Sequence, residues 1–350
     1  MRIALLTIWH EKNYGAELQA YATIKVLQNL GHEVEMIDIR LSDMGKPSLA
    51  GWVSLMIESV SPCNKKFNNF WKKYIPTTKR YKSIEELKKD PPKADVYMVG
   101  SDQVWNPAIT RSFSNLYFLD FGEDSVKRVS YASSFGVSEW KFPELKENTT
   151  KMLSRFDFIT CREQSGVKLL KDTFGVDSVN VVDPTLLLGD YQSFIKQRTK
   201  KHNLVCYPLG HDPELLEQSR KLADQLNMNF IDNFNAKKVC SRIVWDRNSI
   251  EQWITNIANA EFVVTRSFHG MLFSLMHHKQ FVVIAGKKGR GVRLQNFLAS
   301  IRLTDRYYED FNHMLKDQPW LSSIDYKEID KELEIMRQNS ILSLKKMLQS

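Results

Sequence analysis

Short apolar runs of strand length alternate with amphipathic stretches of helix length along almost the whole chain. Ile3 to Ile8 reads as a first strand, followed by a loop from Trp9 to Ala16. From about Glu17 to Leu30, Leu18, Tyr21, Ala22, Val26 and Leu27 fall close to helical spacing, and Gly31 stands where a helix-ending glycine belongs. Val34 to Ile39 is the next strand. This β-α-β opening is the unit of a parallel, doubly wound sheet. The rhythm weakens over residues 41–90. There, Asn64 to Lys82 holds seven Lys/Arg and no acid, and Phe67, Phe70, Trp71 and Tyr74 share one helix face. That stretch reads as a basic helix, either packing its aromatic stripe on a sheet or meeting an acidic polymer or anionic membrane face.

The rhythm resumes with strands at Val96 to Val99, Val126 to Ala132, Phe158 to Cys161 and Val179 to Val182, and helices at about 142–154 and Ser165 to Asp172. The second half repeats it. Strands are expected at Asn203 to Tyr207, Asn229 to Ile231, Phe262 to Thr265 and Phe281 to Ile284. Helices are expected at Pro213 to Leu226, Ser249 to Ala258, His269 to His277 and from about Val292. Residues 325–350 form a charged amphipathic helix or helix pair. The polar stretch near 185–202 marks a seam. The expected organisation is an N-terminal domain over 1–190, a C-terminal domain over 200–325 and a closing helix over 326–350. The fold class is α/β, with two doubly wound domains placing a ligand cleft at the carboxyl ends of their strands.

A chain of 350 residues suits two domains. Apolar residues at 43% and charged residues at 26% exclude a disordered chain, a collagen-like chain and a disulfide scaffold. Cys63, Cys161, Cys206 and Cys240 are widely spaced without a CxxC, so reduced thiols are expected. No apolar run reaches the roughly 18 residues of a membrane span. The first apolar run is too short for a signal peptide, which makes the cytoplasm the expected compartment. A net charge of +8 favours anionic partners.

The candidate chemistry sits at strand ends. After the first strand, Asn13-Tyr14-Gly15-Ala16 is either a small-residue loop offering backbone N–H groups to an anion or a plain turn. After Val99, the loop Gly100 to Pro107 crowds Ser101, Asp102, Gln103 and Asn106 together; Asp102 is either a general base holding a hydroxyl or a helix cap. Arg162, at the end of another strand, suits a carboxylate or phosphate, or else pairs with Glu163. Cys161 beside it lacks a neighbouring base and reads as a buried small residue. Thr265-Arg266-Ser267-Phe268-His269-Gly270 puts a histidine and an arginine at a helix start, suited to anion binding or proton transfer. Lys287 to Arg293 has the charge of a phosphate loop without its glycine spacing. No metal-ligand spacing occurs.

Taken in order, NYGAELQAYA with LGHEVEMID, VGSDQVWNP, SYASSFG, CREQSG, VVDPTLLL and NAEFVVTRSFHGMLFSLMHHKQFVV resemble the polysaccharide pyruvyltransferase family over roughly residues 1–300. The resemblance implies two Rossmann-like domains arranged as in B-type glycosyltransferases. It implies transfer of the pyruvyl group of phosphoenolpyruvate to two hydroxyls of a sugar or lipid-linked saccharide, leaving a cyclic ketal, with no cofactor. It places His269 as general acid and Asp102 as base or hydroxyl-orienting group. Arg162, Arg266, Arg293, Ser267 and Gly270 fall on the donor side; Asn13, Tyr14, Gly15, Ser101, Gln103 and Asn106 fall on the acceptor side. Ser267 stands where family members often carry arginine. Two other functions are weighed against this one: a nucleotide-sugar glycosyltransferase, for which Glu261 is poorly placed, and a non-catalytic partner in polysaccharide assembly. Nucleic acid finds no recognised motif. A lipid-linked acceptor would bring the protein to the inner membrane face.

Overall fold

The computed structural model describes residues 1–40, 61–197, 202–235, 237–240, 244–285 and 291–349. Of these, 1–40, 70–188 and 334–349 form one compact unit. Residues 61–69 and the described residues from Gly189 to Leu333 form a second. The chain thus divides after Leu188. The closing helix is not a separate piece, because its residues from Glu334 onward belong to the first unit.

The first unit is built on a parallel sheet of seven strands. These are β1 (Arg2–Leu6), β2 (Glu33–Asp38), β3 (Thr77–Arg80), β4 (Val96–Val99), β5 (Lys127–Ser133), β6 (Phe158–Cys161) and β7 (Val179–Asn180). Their order is β3-β2-β1-β4-β5-β6-β7. All four residues of β4 are buried, as expected where helices cover both faces of a parallel sheet. Helix α1 (Tyr14–Asn29) starts three residues before the expected Glu17, because Asn13 caps it. Helix Tyr326–Gln349 supplies Leu344 against Thr23, Val26 and Leu27 of α1. Its Ser340 Oγ accepts from the Val182 amide at 3.0 Å.

The basic stretch 64–82 departs from its sequence reading. It is helical only over Pro62–Tyr74 and then becomes edge strand β3. Pro76 cannot continue a helix, and its carbonyl instead accepts from the Met36 amide of β2 at 2.8 Å. Phe67, Phe70 and Trp71 are 0%, 2% and 5% exposed, so the aromatic stripe packs in the core. Lys66 bonds Asp246 at 2.7 Å, while Lys65, Lys72 and Lys73 are exposed.

The second unit holds a five-stranded parallel sheet: β8 (Asn203–Tyr207), β9 (Asn229–Asp232), β12 (Phe262–Thr265), β13 (Gln280–Ile284) and β14 (Tyr307–Tyr308). Its order is β14-β13-β12-β8-β9. An antiparallel pair, β10 (Lys237–Cys240) and β11 (Val244–Asp246), stands apart from it. In each sheet the strand order reverses at one place: between β1 and β4 in the first, and between β8 and β12 in the second. At such a switch point the outgoing connections diverge to opposite faces and leave a crevice at the strands' carboxyl ends.

One buried charge fixes the connection before β5. Arg128 is 2% exposed. Its guanidinium donates to the carbonyls of Leu119, Phe121, Gly122, Glu123 and Val126 at 2.8 to 3.4 Å. Gly122 has φ +71°, and a Cβ there would stand 2.4 Å from the Tyr97 ring, so only glycine fits this loop. The Arg128→Met variant is expected to lose about 3–5 kcal/mol of unfolding free energy, because five carbonyls lose one donor group. Urea midpoints at unchanged slope check it.

Candidate active site

At the first switch point, the ends of β1 and β4 are tied by the Thr7 hydroxyl donating to the Ser101 carbonyl at 2.7 Å. A Cβ at Gly100 would meet Thr7 Cβ at 3.0 Å, so the glycine lets the strands approach. The next residue but one, Asp102, has φ +74°, a left-handed backbone that Asp tolerates better than most residues. Its carbonyl accepts from the Ser134 amide at 3.0 Å and its Oδ1 from the Gln103 amide at 2.8 Å. The capping alternative falls to another residue: Asn106 Oδ1 accepts the Ala108 amide and caps the short helix Pro107–Thr110. Asp102 is therefore a strained, partly exposed carboxylate at a ligand-binding position of the fold. Gln103 packs on the loop after β5, where a Cβ on Gly136 would strike its Oε1, and accepts from Asn106 Nδ2 at 3.3 Å.

Arg162 arrives from the end of β6 with 2% of its side chain exposed. Nη1 donates to Asp183 at 3.0 Å, Nε donates to Glu163 at 2.9 Å, and Nη2 lies 3.9 Å from Asp102 Oδ1. Burial alone would lower its pKa, but Glu163, Asp183 and Asp102 more than reverse this and hold it above the ordinary value. The other oxygen of Asp183 accepts from the Thr185 amide at 2.9 Å and hydroxyl at 2.7 Å. Ser101 is fully buried, and its hydroxyl donates to Asp183 at 3.3 Å. The arginine expected to grip the donor is thus committed to carboxylates of its own chain. Ser101 is part of that scaffold.

The loop after β1 takes the plain-turn form of its two sequence readings. The Gly15 and Ala16 amides are taken by Asn13 Oδ1 at 2.9 and 3.4 Å. Tyr14 and Gly15 are buried. These residues cap and anchor α1. What sequence reasoning missed lies beside them. Glu17 is fully buried, and its carboxylate accepts from the amides of His10 and Glu11 and from Trp71 Nε1 at 3.3, 3.0 and 2.5 Å. Burial pushes its pKa up to about 7 against these hydrogen bonds. His10 has φ +66° and stacks on Trp71 at 3.4 Å between ring centroids. Its pKa is pushed down to about 3, first by burial and then by Arg40. The only sequence signal was an acid inside an otherwise apolar helix face.

At the second switch point, β12 ends at Thr265. Its hydroxyl donates to the Tyr207 carbonyl of β8 at 2.8 Å and accepts from the Ser267 amide at 3.0 Å. Ser267 is 2% exposed and caps the helix Phe268–Met276 by accepting from the Gly270 amide at 3.2 Å. A Cβ on Gly270 would stand 2.4 Å from Thr265 Oγ1 and 3.1 Å from the Tyr207 ring. Ser267 and Gly270 thus build the helix start. Arg266 bonds Asp212 at 2.5 Å, and Asp212 in turn caps the helix Pro213–Gln225. His269 sits in the first turn of its helix, 8% exposed, edge-on to Phe268. Arg293 is half-buried in the first turn of the helix Val292–Ser300, and Lys287 to Arg290 lie outside the described residues. The structure thus groups Asp102, Gln103, Asn106 and Arg162 in the first unit, and Arg266, Ser267, His269 and Gly270 in the second. Cys161 and Cys206 are buried, and burial raises both thiol pKa values, so neither is a ready nucleophile. Among the described residues, no group of three or more His, Cys, Asp or Glu side chains is arranged to hold a metal ion, and no helix is long and apolar enough to cross a membrane.

A family model for polysaccharide pyruvyl transferases matches residues 13–288. Among curated proteins none matches. Among solved structures, a protein described as a UDP-N-acetylglucosamine 2-epimerase from Listeria monocytogenes is similar at 10% identity and a TM-score of 0.53, covering 100% of this chain and 97% of that one. The wall teichoic acid polymerase TagF, in an H444N variant, is similar at 12% identity and a TM-score of 0.49, covering 99% and 89%. The likeness to the Listeria protein is one of fold, consistent with two Rossmann-like domains.

Two outcomes follow from this geometry. Glu17 binds its proton more tightly folded than unfolded, so its contribution to stability falls as pH rises from about 4.5 to about 7. His10 works in the opposite sense, losing stability as pH falls below 6.5. The Glu17→Gln variant removes only the first slope. Its stability relative to wild type should rise by on the order of 3 kcal/mol between pH 4.5 and 8, read by urea unfolding at each pH. Separately, Gly270→Ala should destabilise by about 1–3 kcal/mol, since Thr265 must give up its place between two strands; thermal unfolding reads it.

Proposed function

We propose that this chain, which belongs to the polysaccharide pyruvyl transferase family, transfers the pyruvyl group of phosphoenolpyruvate to two hydroxyls of a saccharide, forming a cyclic ketal. The observation that carries this reading is the second unit's switch point. A histidine in the first turn of a helix and an arginine at the strand end occupy the position where open α/β sheets bind ligands. An enol phosphate needs that combination: positive charge for its carboxylate and phosphate, and an acid for its methylene carbon.

The chemistry balances without a cofactor. A proton from His269 adds to the methylene carbon, converting it to a methyl group. One sugar hydroxyl adds to the neighbouring carbon and loses its proton. The bond from that carbon to the phosphate oxygen breaks, and phosphate leaves. A second hydroxyl takes the vacated position and loses its proton, closing the ketal. One of the two released protons restores His269 and the other goes to phosphate. Arg266 and Arg293 are the cationic groups of the second unit assigned to the donor. Asp102 is assigned to a sugar hydroxyl, with a backbone stitched to Ser134 to hold it in place. Arg162 then serves as a positioning residue. Its Nη2 stands 3.9 Å from Asp102 Oδ1, close enough for charge attraction to orient that carboxylate.

The test is phosphate release from phosphoenolpyruvate with a panel of aryl and lipid-linked galactosides, glucosides and mannosamine derivatives. Acceptor-dependent release is expected, falling at least about a hundredfold in His269→Ala. Arg162→Lys should raise the acceptor KM more than the phosphoenolpyruvate KM. Release that His269→Ala leaves intact would remove the histidine from the mechanism, and nucleotide-sugar turnover in place of release would overturn the reading.

A further inference from the structure

The first unit carries a groove that the chemistry above does not use. A cavity of about 640 Å³ lies between the loop after β5, the helix Lys146–Leu153, and the helix Gln164–Leu169 with its continuation over Leu170–Phe174. Ser138, Glu139, Trp140, Lys146, Lys168 and Asp172 line it. A second hollow of about 520 Å³ shares Pro143 and Lys146 with the first and runs along the helix to Ser154. Both have the size of ligand sites, and together they make an elongated track and not a single socket.

The floor is rigid. Trp140 Nε1 donates to the Phe142 carbonyl at 2.5 Å, and the indole stands edge-on to Phe135 and to Phe174, at 6.0 and 5.1 Å between centroids. The far wall is shaped by a single π turn, Leu170–Phe174, whose Asp172 and Thr173 line the cavity; such turns recur at functional sites. The charges are the deciding feature. Lys146 and Lys168 oppose Glu139 and Asp172, giving a formal balance of zero, and none of the four forms an ion pair among the described residues. A polyanion would meet two carboxylates there, and a cation two ammonium groups. A neutral polyol meets donors and acceptors for its hydroxyls, and an aromatic ring for its apolar C–H face.

The groove's lining lies close in sequence to the candidate site: Ser138 comes four residues after Ser134, whose amide bonds Asp102, and Ser165 comes three residues after Arg162. We infer that this groove is a binding track for an extended neutral saccharide, taking the sugars that lie beyond the one presented to Asp102. The inference rests on the proposed saccharide acceptor, but binding here needs no chemistry at His269.

Calorimetric titration with galactan, glucan and mannan oligosaccharides of one to eight sugars tests it. Wild type and His269→Ala should both bind at least one series at least tenfold more tightly at six sugars than at one. Ser138→Trp, which fills the cavity from an exposed position, and the surface exchange Asp172→Lys should each remove that gain. Both variants should keep wild-type thermal unfolding. Affinity independent of length in all three series, or a length gain that survives both variants, would overturn the track. Loss of phosphate release with the length gain intact would instead count against the proposed reaction alone.

Discussion

The buried guanidinium of Arg162 is the constraint around which the first unit's site is arranged. A cation with 2% of its side chain exposed has lost its hydration and must be neutralised within hydrogen-bond reach. Asp183 and Glu163 do this, and each comes from a different place in the chain. Asp183 can serve only because Thr185 satisfies its second oxygen, and Ser101 can join only because Gly100 lets β4 lie close to β1. The ends of β4 and β6 and the turn after β7 are therefore held to one another through a single charge. Asp102, on a left-handed backbone beside that charge, inherits its position from the network.

The second unit's switch point is tied together by hydroxyls and without a buried ion. Thr265 ties β12 to β8 through one hydroxyl, and Gly270 leaves room for it. Ser267 closes the helix start, so His269 is carried by a well-capped first turn and not by a loose loop. Ser267 does backbone work there, and Arg266 beside it is oriented by Asp212.

Burial accounts for the differences between expected and observed roles. Tyr14, Ser101, Ser267 and Gly270 all lie in motifs that mark the sites, yet each is inside the protein and engaged in making the turn. Asn13 shows the same economy from the outside, since its side chain consumes the amides that a ligand would have needed. Buried motif residues thus hold the turns at the strand ends in shape.

The sequence by itself determined the alternation of strands and helices, the parallel sheets and the places where chemistry would gather. These rest on local periodicity and on small polar residues at strand ends, which are properties of neighbours in the chain. It also showed Asp102, Arg162 and His269 to be at such ends. Only the tertiary structure decided what each of them touches. The partners of Arg162 lie up to 61 residues away, and Glu17 meets Trp71 at a separation of 54. Pairings of that reach depend on strand order, which no local pattern encodes. For the same reason the edge strand β3 was hidden inside a basic, aromatic stretch with helical spacing, until Pro76 and the open edge of β2 settled it.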